Sequence, residues 1–192
     1  NEHLGGSIES FGSDKAARFA KLCDSWNIPI CTLVDTPGMM IGPEAEKTAL
    51  VRRTSNLIVT LGNVQTPRFS VVLRKCYGLG SNTILFGNER APSFTVAWPT
   101  AEFGGMNLEA GVRLGNRDRL AAIEDLDERA AEYERLVEAA YASGGALNAA
   151  STFKVDAVID PVETRHWIKQ GVLAAPESEP LRHGRRPSLP TW

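Results

Sequence analysis

The sequence predicts an α/β fold built on parallel strands, and three observations carry that expectation. Short apolar runs rich in β-branched residues, IPICTLVD (28–35), FSVVL (69–73) and SFTVAWP (93–99), read as buried strands. Between them lie longer stretches with apolar side chains at helical spacing, an alternation that yields parallel strands joined by right-handed crossovers. At 192 residues the chain is long enough to bury one substantial core.

Each element follows from its own residues. A first helix is expected over 13–26, SDKAARFAKLCDSW, with Ser13 as N-cap and Ala16, Phe19, Ala20 and Cys23 three and four residues apart. Strand 28–35 leads into the loop TPGMMIGP, and EAEKTALVRRTSNLIVTLG (44–62) reads as one long helix stopped by glycine. Strand 69–73 runs into RKCYGLGSNT (74–83), with a short helix expected near 82–86. Strand 93–99 closes at proline. Beyond Thr100 the pattern turns helical around 108–113, 119–142 and 161–170, with a short strand expected at VDAVID (155–160). Leu120, Ile123, Tyr133, Leu136, Val137, Ala140 and Tyr141 form a helical stripe that reads as core or subunit contact. Residues 1–173 are expected to form one domain. The stretch 174–192, with four prolines and three arginines, reads as a tail that wraps a partner or stays mobile. The opening NEHLGGSIES has no methionine and is rich in turn residues, as expected of a piece of a longer chain.

Composition narrows the function classes. Hydrophobic residues are 43% and charged residues 23%, a soluble globular profile. Lys plus Arg (21) nearly balance Asp plus Glu (23), so a net charge of −2 argues against nucleic acid or an anionic membrane as partner. No apolar run approaches the ~20 residues of a membrane span, and no signal-peptide pattern opens the chain. Cys23, Cys31 and Cys76 are an odd number without metal spacing, which points to reduced thiols in a cytoplasm. His3, His166 and His183 are scattered, so no metal is expected.

The chemistry-bearing features are two glycine loops, each leaving a strand and entering a helix. In GLGSN, Gly78 and Gly80 imply a close backbone approach, but the spacing lacks the P-loop pattern, and Thr83 stands where a dinucleotide fingerprint needs glycine. Two readings remain: tight strand-to-helix packing, or an oxyanion hole of consecutive N–H groups at a helix start. The second loop, DTPGMMIGPEAEK, brings Gly38 and Gly42 to a strand end as well. Loops after neighbouring parallel strands can converge on one crevice.

DKAARFAKLCDSWNIPICTLVDTPGMMIGPEAEK, RKCYGLGSN, AWPTAEFGGMNLEAGVRL and VDAVIDPVETR, in this order, resemble the biotin-dependent acyl-CoA carboxyltransferases. They look like the carboxyl-terminal half of a propionyl-CoA or acetyl-CoA carboxylase β-type subunit, over roughly residues 3 to 170. The resemblance implies a crotonase-type ββα superhelix with helices at its edge, making 1–173 the biotin-side domain. It implies that carboxybiotin, on a separate carrier domain or subunit, delivers its carboxyl group to the α-carbon of an acyl-CoA. Two oxyanion holes then carry the catalytic burden. By position, the N–H donors for the biotin carbonyl fall on Leu79 and Gly80, with Gly38, Gly42, Gly78, Ser81 and Asn82 on the biotin side. The family has Gly-Gly-Ala after the tyrosine, where this chain has Gly78-Leu79-Gly80, so the pocket surface differs. The implied partners are biotin carboxyl carrier and biotin carboxylase subunits, the amino-terminal half of the same or a neighbouring carboxyltransferase subunit, and further copies in a homo-oligomer. The biotin attachment motif and an ATP-binding region do not occur in these residues.

Other residues have alternative readings. An enoyl-CoA hydratase or isomerase of the same fold would use paired glutamates, and Glu102 and Glu109 are the candidates. Gly104-Gly105 interrupts the helix that would put them on one face. A non-catalytic assembly module is the third reading. Cys76 beside Lys75 reads as a small packed side chain rather than an activated thiolate. Asp35 is expected to cap the Thr36–Gly38 turn.

Overall fold

The computed structural model describes residues 2–176. At its centre is a parallel sheet of β1 (Ile30–Thr36), β2 (Arg68–Tyr77), β3 (Phe94–Ala97), β4 (Glu102–Gly104) and β5 (Ala157–Val158). The strand order is β1-β2-β3-β5, with β4 beside the carboxyl half of β2 through Lys75–Glu102, Cys76–Phe103 and Tyr77–Gly104. The parallel α/β expectation holds.

Apolar side chains alternate across β2. Val71 packs with Val96 and Ile159 on one face, while Val72 and Cys76 pack with Val34, Leu85, Ala97 and Phe103 on the other. Burial on both faces explains the unbroken run FSVVL. A third cluster joins α1 (Ser10–Ser25) to α3 (Leu50–Asn63) through Ala17, Ala20, Leu57 and Leu61 over Ile30. On the Val71 face lies α9 (Thr164–Ala174), where Gly171 sits so close to Phe69 and Phe94 that a Cβ would fall 2.5 Å from the Phe94 ring.

Several boundaries differ from expectation. The first helix starts three residues before Ser13, because the Glu9 side chain accepts from the N–H groups of Phe11 and Gly12; Ser13 is buried and donates its hydroxyl to Glu9 O. The single helix expected over 44–62 is two, α2 (Pro43–Glu46) and α3, because Ala49 is left-handed at φ 56. Strand β2 extends to Tyr77, so residues 74–77 are strand rather than loop. The helix α4 (Gly78–Ile84) begins directly at Gly78, four residues before the expected start. The strand expected over 93–99 spans Phe94–Ala97, and β4 arises where no strand was expected. The helical region after Thr100 divides into α5 (Leu108–Gly115), α6 (Arg117–Ala121), α7 (Leu126–Gly144) and α8 (Ala146–Ser151). Asp125, which accepts from the N–H groups of Asp127 and Glu128, starts α7 afresh. The stripe, which runs over α6, α7 and Ile123 between them, is half-buried to exposed, so its core reading fails within this chain. VDAVID narrows to β5, paired with β3. Of the expected tail, 177–192 and His183 lie outside the described residues. Among the described residues no helix is long and apolar enough to cross a membrane.

Candidate functional site

Parallel strands bring their carboxyl ends to one side, and three loops meet there. After Thr36, the loop at 37–42 is anchored twice. The Thr36 hydroxyl accepts from Gly38 N at 3.1 Å, and Ile8 pairs alongside, donating its N–H to Gly38 O and accepting from Met40 N, both at 2.9 Å. Tyr77 ends β2, and α4 starts at once. Beyond β4 comes Gly105.

Close approach decides the glycines of the second loop. A Cβ at residue 80 would lie 2.8 Å from both Cα and C of Gly38 and 3.0 Å from Met39 N, so the first turn of α4 rests on the backbone of the first loop. Only glycine allows that distance. Gly78 has φ +61, and a Cβ there would lie 3.0 Å from Gly105 O. The packing reading of Gly80 is therefore correct for its Cα, and it leaves its amide to be considered separately. Tyr77 gives α4 no side-chain cap, and the first N–H groups of a helix have no intrahelical acceptor. The N–H groups of residues 78, 79 and 80 thus open α4 next to the first loop, with the positive end of the helix dipole behind them.

The remaining candidates divide. Gly38 is buried against α4 and Tyr77. Gly42 lies at the far end of its loop, exposed, with nothing within 4 Å of a Cβ placed on it. Leu79 is 60% exposed and Ile41, on the first loop, 87% exposed, so the rim of the crevice is apolar. Ser81 is turned inward, buried, its hydroxyl donating to Gly78 O at 2.8 Å. Asn82 is half-buried, and its carbonyl accepts from Gly87 N.

Polar groups beneath the crevice hold its walls. At the Thr36–Gly38 turn it is the Thr36 hydroxyl that accepts from Gly38 N, while Asp35, the expected cap, also faces β2. Asp35 accepts the Arg74 fork, from Nε at 3.2 Å and Nη2 at 3.1 Å, and the Lys75 N–H at 3.2 Å. The reason is a bulge: Val34 pairs with Val72 but Thr36 with Cys76, leaving residues 73–75 against Asp35 alone. Tyr77 is 1% exposed and donates its hydroxyl to Glu102 Oε2 at 2.5 Å. Burial pushes the Tyr77 phenol up, and the Glu102 hydrogen bond pushes it further. Glu109, on α5, receives the Tyr141 hydroxyl at 3.4 Å, so the two glutamates lie on separate elements, each with a tyrosine donor. Burial raises the Cys76 thiol to about 12, against a smaller opposing effect of the Ser81 hydrogen bond, which makes it a packed side chain and not a nucleophile. Among the described residues no three His, Cys, Asp or Glu side chains group as metal ligands.

Sequence reading missed Gly105 and Tyr77. The signal that could reveal Gly105 is FGG at 103–105, which resembles a strand end followed by a glycine turn.

The match to known proteins is extensive. The carboxyl transferase domain matches residues 1–182. The biotin-dependent acetyl-/propionyl-coenzyme A carboxylase beta6 subunit of Mycobacterium tuberculosis (strain ATCC 25618 / H37Rv) is 34% identical over 97% of this chain and 38% of its own. The methylmalonyl-CoA carboxyltransferase 12S subunit of Propionibacterium freudenreichii subsp. shermanii is 34% identical over 86% of this chain and 31% of its own. Among solved structures, a single-chain, multi-domain long-chain acyl-CoA carboxylase superposes with a TM-score of 0.77 at 48% identity, covering 88% of this chain and 16% of that one. A hexameric transcarboxylase 12S with methylmalonyl-CoA bound superposes with a TM-score of 0.80 at 30% identity, covering 95% and 35%. The chain spans well under half the length of these relatives.

Proposed function

The chain belongs to the carboxyl transferase domain family, and from that premise we propose that it supplies the biotin-side half of a site where a carboxyl group passes from carboxybiotin to the α-carbon of an acyl-CoA thioester. Its fold is the crotonase-like fold of that family. The observation that carries the proposal is the seating of α4 on the first loop, Gly80 against Gly38, which puts the uncapped start of the helix beside that loop.

The residues fit a biotin ureido carbonyl. When bound, carboxybiotin supplies the activated carboxyl group. The N–H groups of Leu79 and Gly80 donate to the oxygen on which negative charge grows, and neither moves to do so. Gly38 holds the helix start in place, and the exposed Leu79 and Ile41 form apolar rims that limit water at the donors. No side chain of this chain has to take a proton. Biotin arrives on a separate carrier domain or subunit, carboxylated by a biotin carboxylase. The acyl-CoA is held by an amino-terminal half from the same or a neighbouring subunit, within a homo-oligomer. The hydratase reading has no comparable support: Glu102 and Glu109 are each engaged by a tyrosine hydroxyl.

The test removes one donor and weakens only the Gly78 carbonyl as acceptor for the Ser81 hydroxyl. Proline at residue 80 is unsuitable, since its Cβ would meet Gly38 at 2.8 Å. Replacing the Leu79 residue by its α-hydroxy acid turns the amide into an ester and deletes the N–H while the exposed side chain stays. In the full-length protein assembled with its partners, avidin-sensitive carboxyl transfer is expected to fall on the order of 100-fold with the acyl-CoA KM nearly unchanged. Wild-type transfer by a folded ester variant would refute the hole.

A further inference from the structure

We infer that Tyr77 and Glu102 form a positioning clamp that aims the donor turn of α4, a role that rests on the oxyanion-hole reading of Leu79 and Gly80. Tyr77 is the last residue of β2 and the residue immediately before Gly78, so its backbone is the hinge from strand into helix. Its side chain is buried and crosses to the neighbouring strand β4, where the hydroxyl donates to Glu102 Oε2. Glu102 is in turn held by backbone pairing on two sides, opposite Lys75 in β2 and bridged to Gly145.

The clamp has a geometric job that packing alone leaves undone. The turn is restrained at Gly80 by the Gly38 backbone and at Gly78 by Gly105 O, two steric contacts that limit approach. Steric contacts stop motion in one direction only. A directed hydrogen bond from the residue at the hinge restrains rotation of the turn about the strand axis, which is the motion that would swing the N–H vectors away from an oxygen. Donor strength falls steeply as the N–H···O angle bends, and misaligned catalytic groups lose rate without losing ground-state binding. The Arg74–Asp35 pair stiffens the opposite, β1 side of the same strand end. Burial keeps the Tyr77 phenol protonated across the working pH range, so it stays a donor.

The experiment uses the full-length protein in its assembled carboxylase. Tyr77→Phe keeps the buried ring and removes the hydroxyl, and should lower kcat of carboxyl transfer about tenfold, the scale of one lost buried hydrogen bond. The acyl-CoA KM should stay within about twofold. Glu102→Ala should show the same loss, and should carry the test if Tyr77→Phe does not fold. The double variant should be no worse than either single one. Glu102→Gln, whose amide oxygen still accepts from the hydroxyl, should restore most of kcat. A purely structural role would lower Tm and leave kcat per folded site intact. Wild-type kcat in Tyr77→Phe, additive losses in the double variant, or equal damage from Glu102→Gln and Glu102→Ala would each overturn the clamp. The Leu79 ester separates the two ideas. If the ester costs rate and Tyr77→Phe does not, the clamp alone falls. If the ester costs nothing, the hole and the clamp both fall.

Discussion

Cys76 shows how one residue type acquires opposite meanings from its surroundings. It sits three residues before Leu79, the first of the candidate donors, and beside Lys75, where a lowered pKa would suggest a nucleophile. Burial instead raises its thiol to about 12 from 9.0. The fold thus favours the protonated form, so this contribution to stability is fully present below about pH 9. It is lost as pH rises from about 9 toward 12, where the unfolded chain ionises first. Urea titrations of wild type and Cys76→Ser across that range should show the wild type losing stability more steeply. Iodoacetamide at pH 8 should label Cys76 far more slowly in the folded than in the urea-unfolded protein. Rapid labelling of the native thiol would contradict its burial. Asp35 makes the same point: its identity fitted a turn cap, but the bulge at 73–75 brings Arg74 and the Lys75 N–H to it.

At the level of elements, the junction of α4 with the first loop is the feature on which both stability and site depend. Gly80→Ala would place a Cβ 2.8 Å from Gly38 backbone atoms that are themselves fixed by Ile8 and Thr36. Neither backbone can yield locally, so the variant should be destabilised by about 1–3 kcal/mol, the usual cost of overpacking. Gly62→Ala, at a position with nothing within 4 Å, supplies the control and should not destabilise. Chemical denaturation compares the two, and equal stabilities would show that α4 does not rest on the loop as described. The helix break at Ala49 and the new start at Asp125 are likewise decided by element-level geometry. Helical periodicity runs straight through residues 44–62, and no glycine or proline announces the left-handed residue at 49.

For the whole molecule, the proposal makes the chain one half of a site. The 192 residues alone should fold, yet titration calorimetry should detect no acyl-CoA binding tighter than about millimolar, roughly −4 kcal/mol. The exposed Phe11, Phe19, Trp26, Leu126, Leu147 and Val162 should also make the isolated chain self-associate, visible by sedimentation. Micromolar acyl-CoA affinity in the isolated chain would mean that the thioester site is complete here and would reverse the half-site reading.

What the sequence determined by itself was the parallel α/β plan, the three strands at 28–35, 69–73 and 93–99 within a few residues, and the pairing of two glycine loops. Strand burial and helix periodicity are local signals that survive in one dimension, and four ordered motifs carried the family. The tertiary structure alone decided that Gly80 is glycine because of Gly38, forty-two positions away, and that Gly78 faces Gly105. It alone decided that Tyr77 reaches Glu102 through a strand absent from the sequence reading. Three residues of β4 carry no period long enough to detect, and their strand exists because the carboxyl half of β2 offers them a partner. Contacts between residues distant in the chain have no signature in either residue's neighbours, so the walls of the crevice became visible only once the sheet had brought its strand ends together.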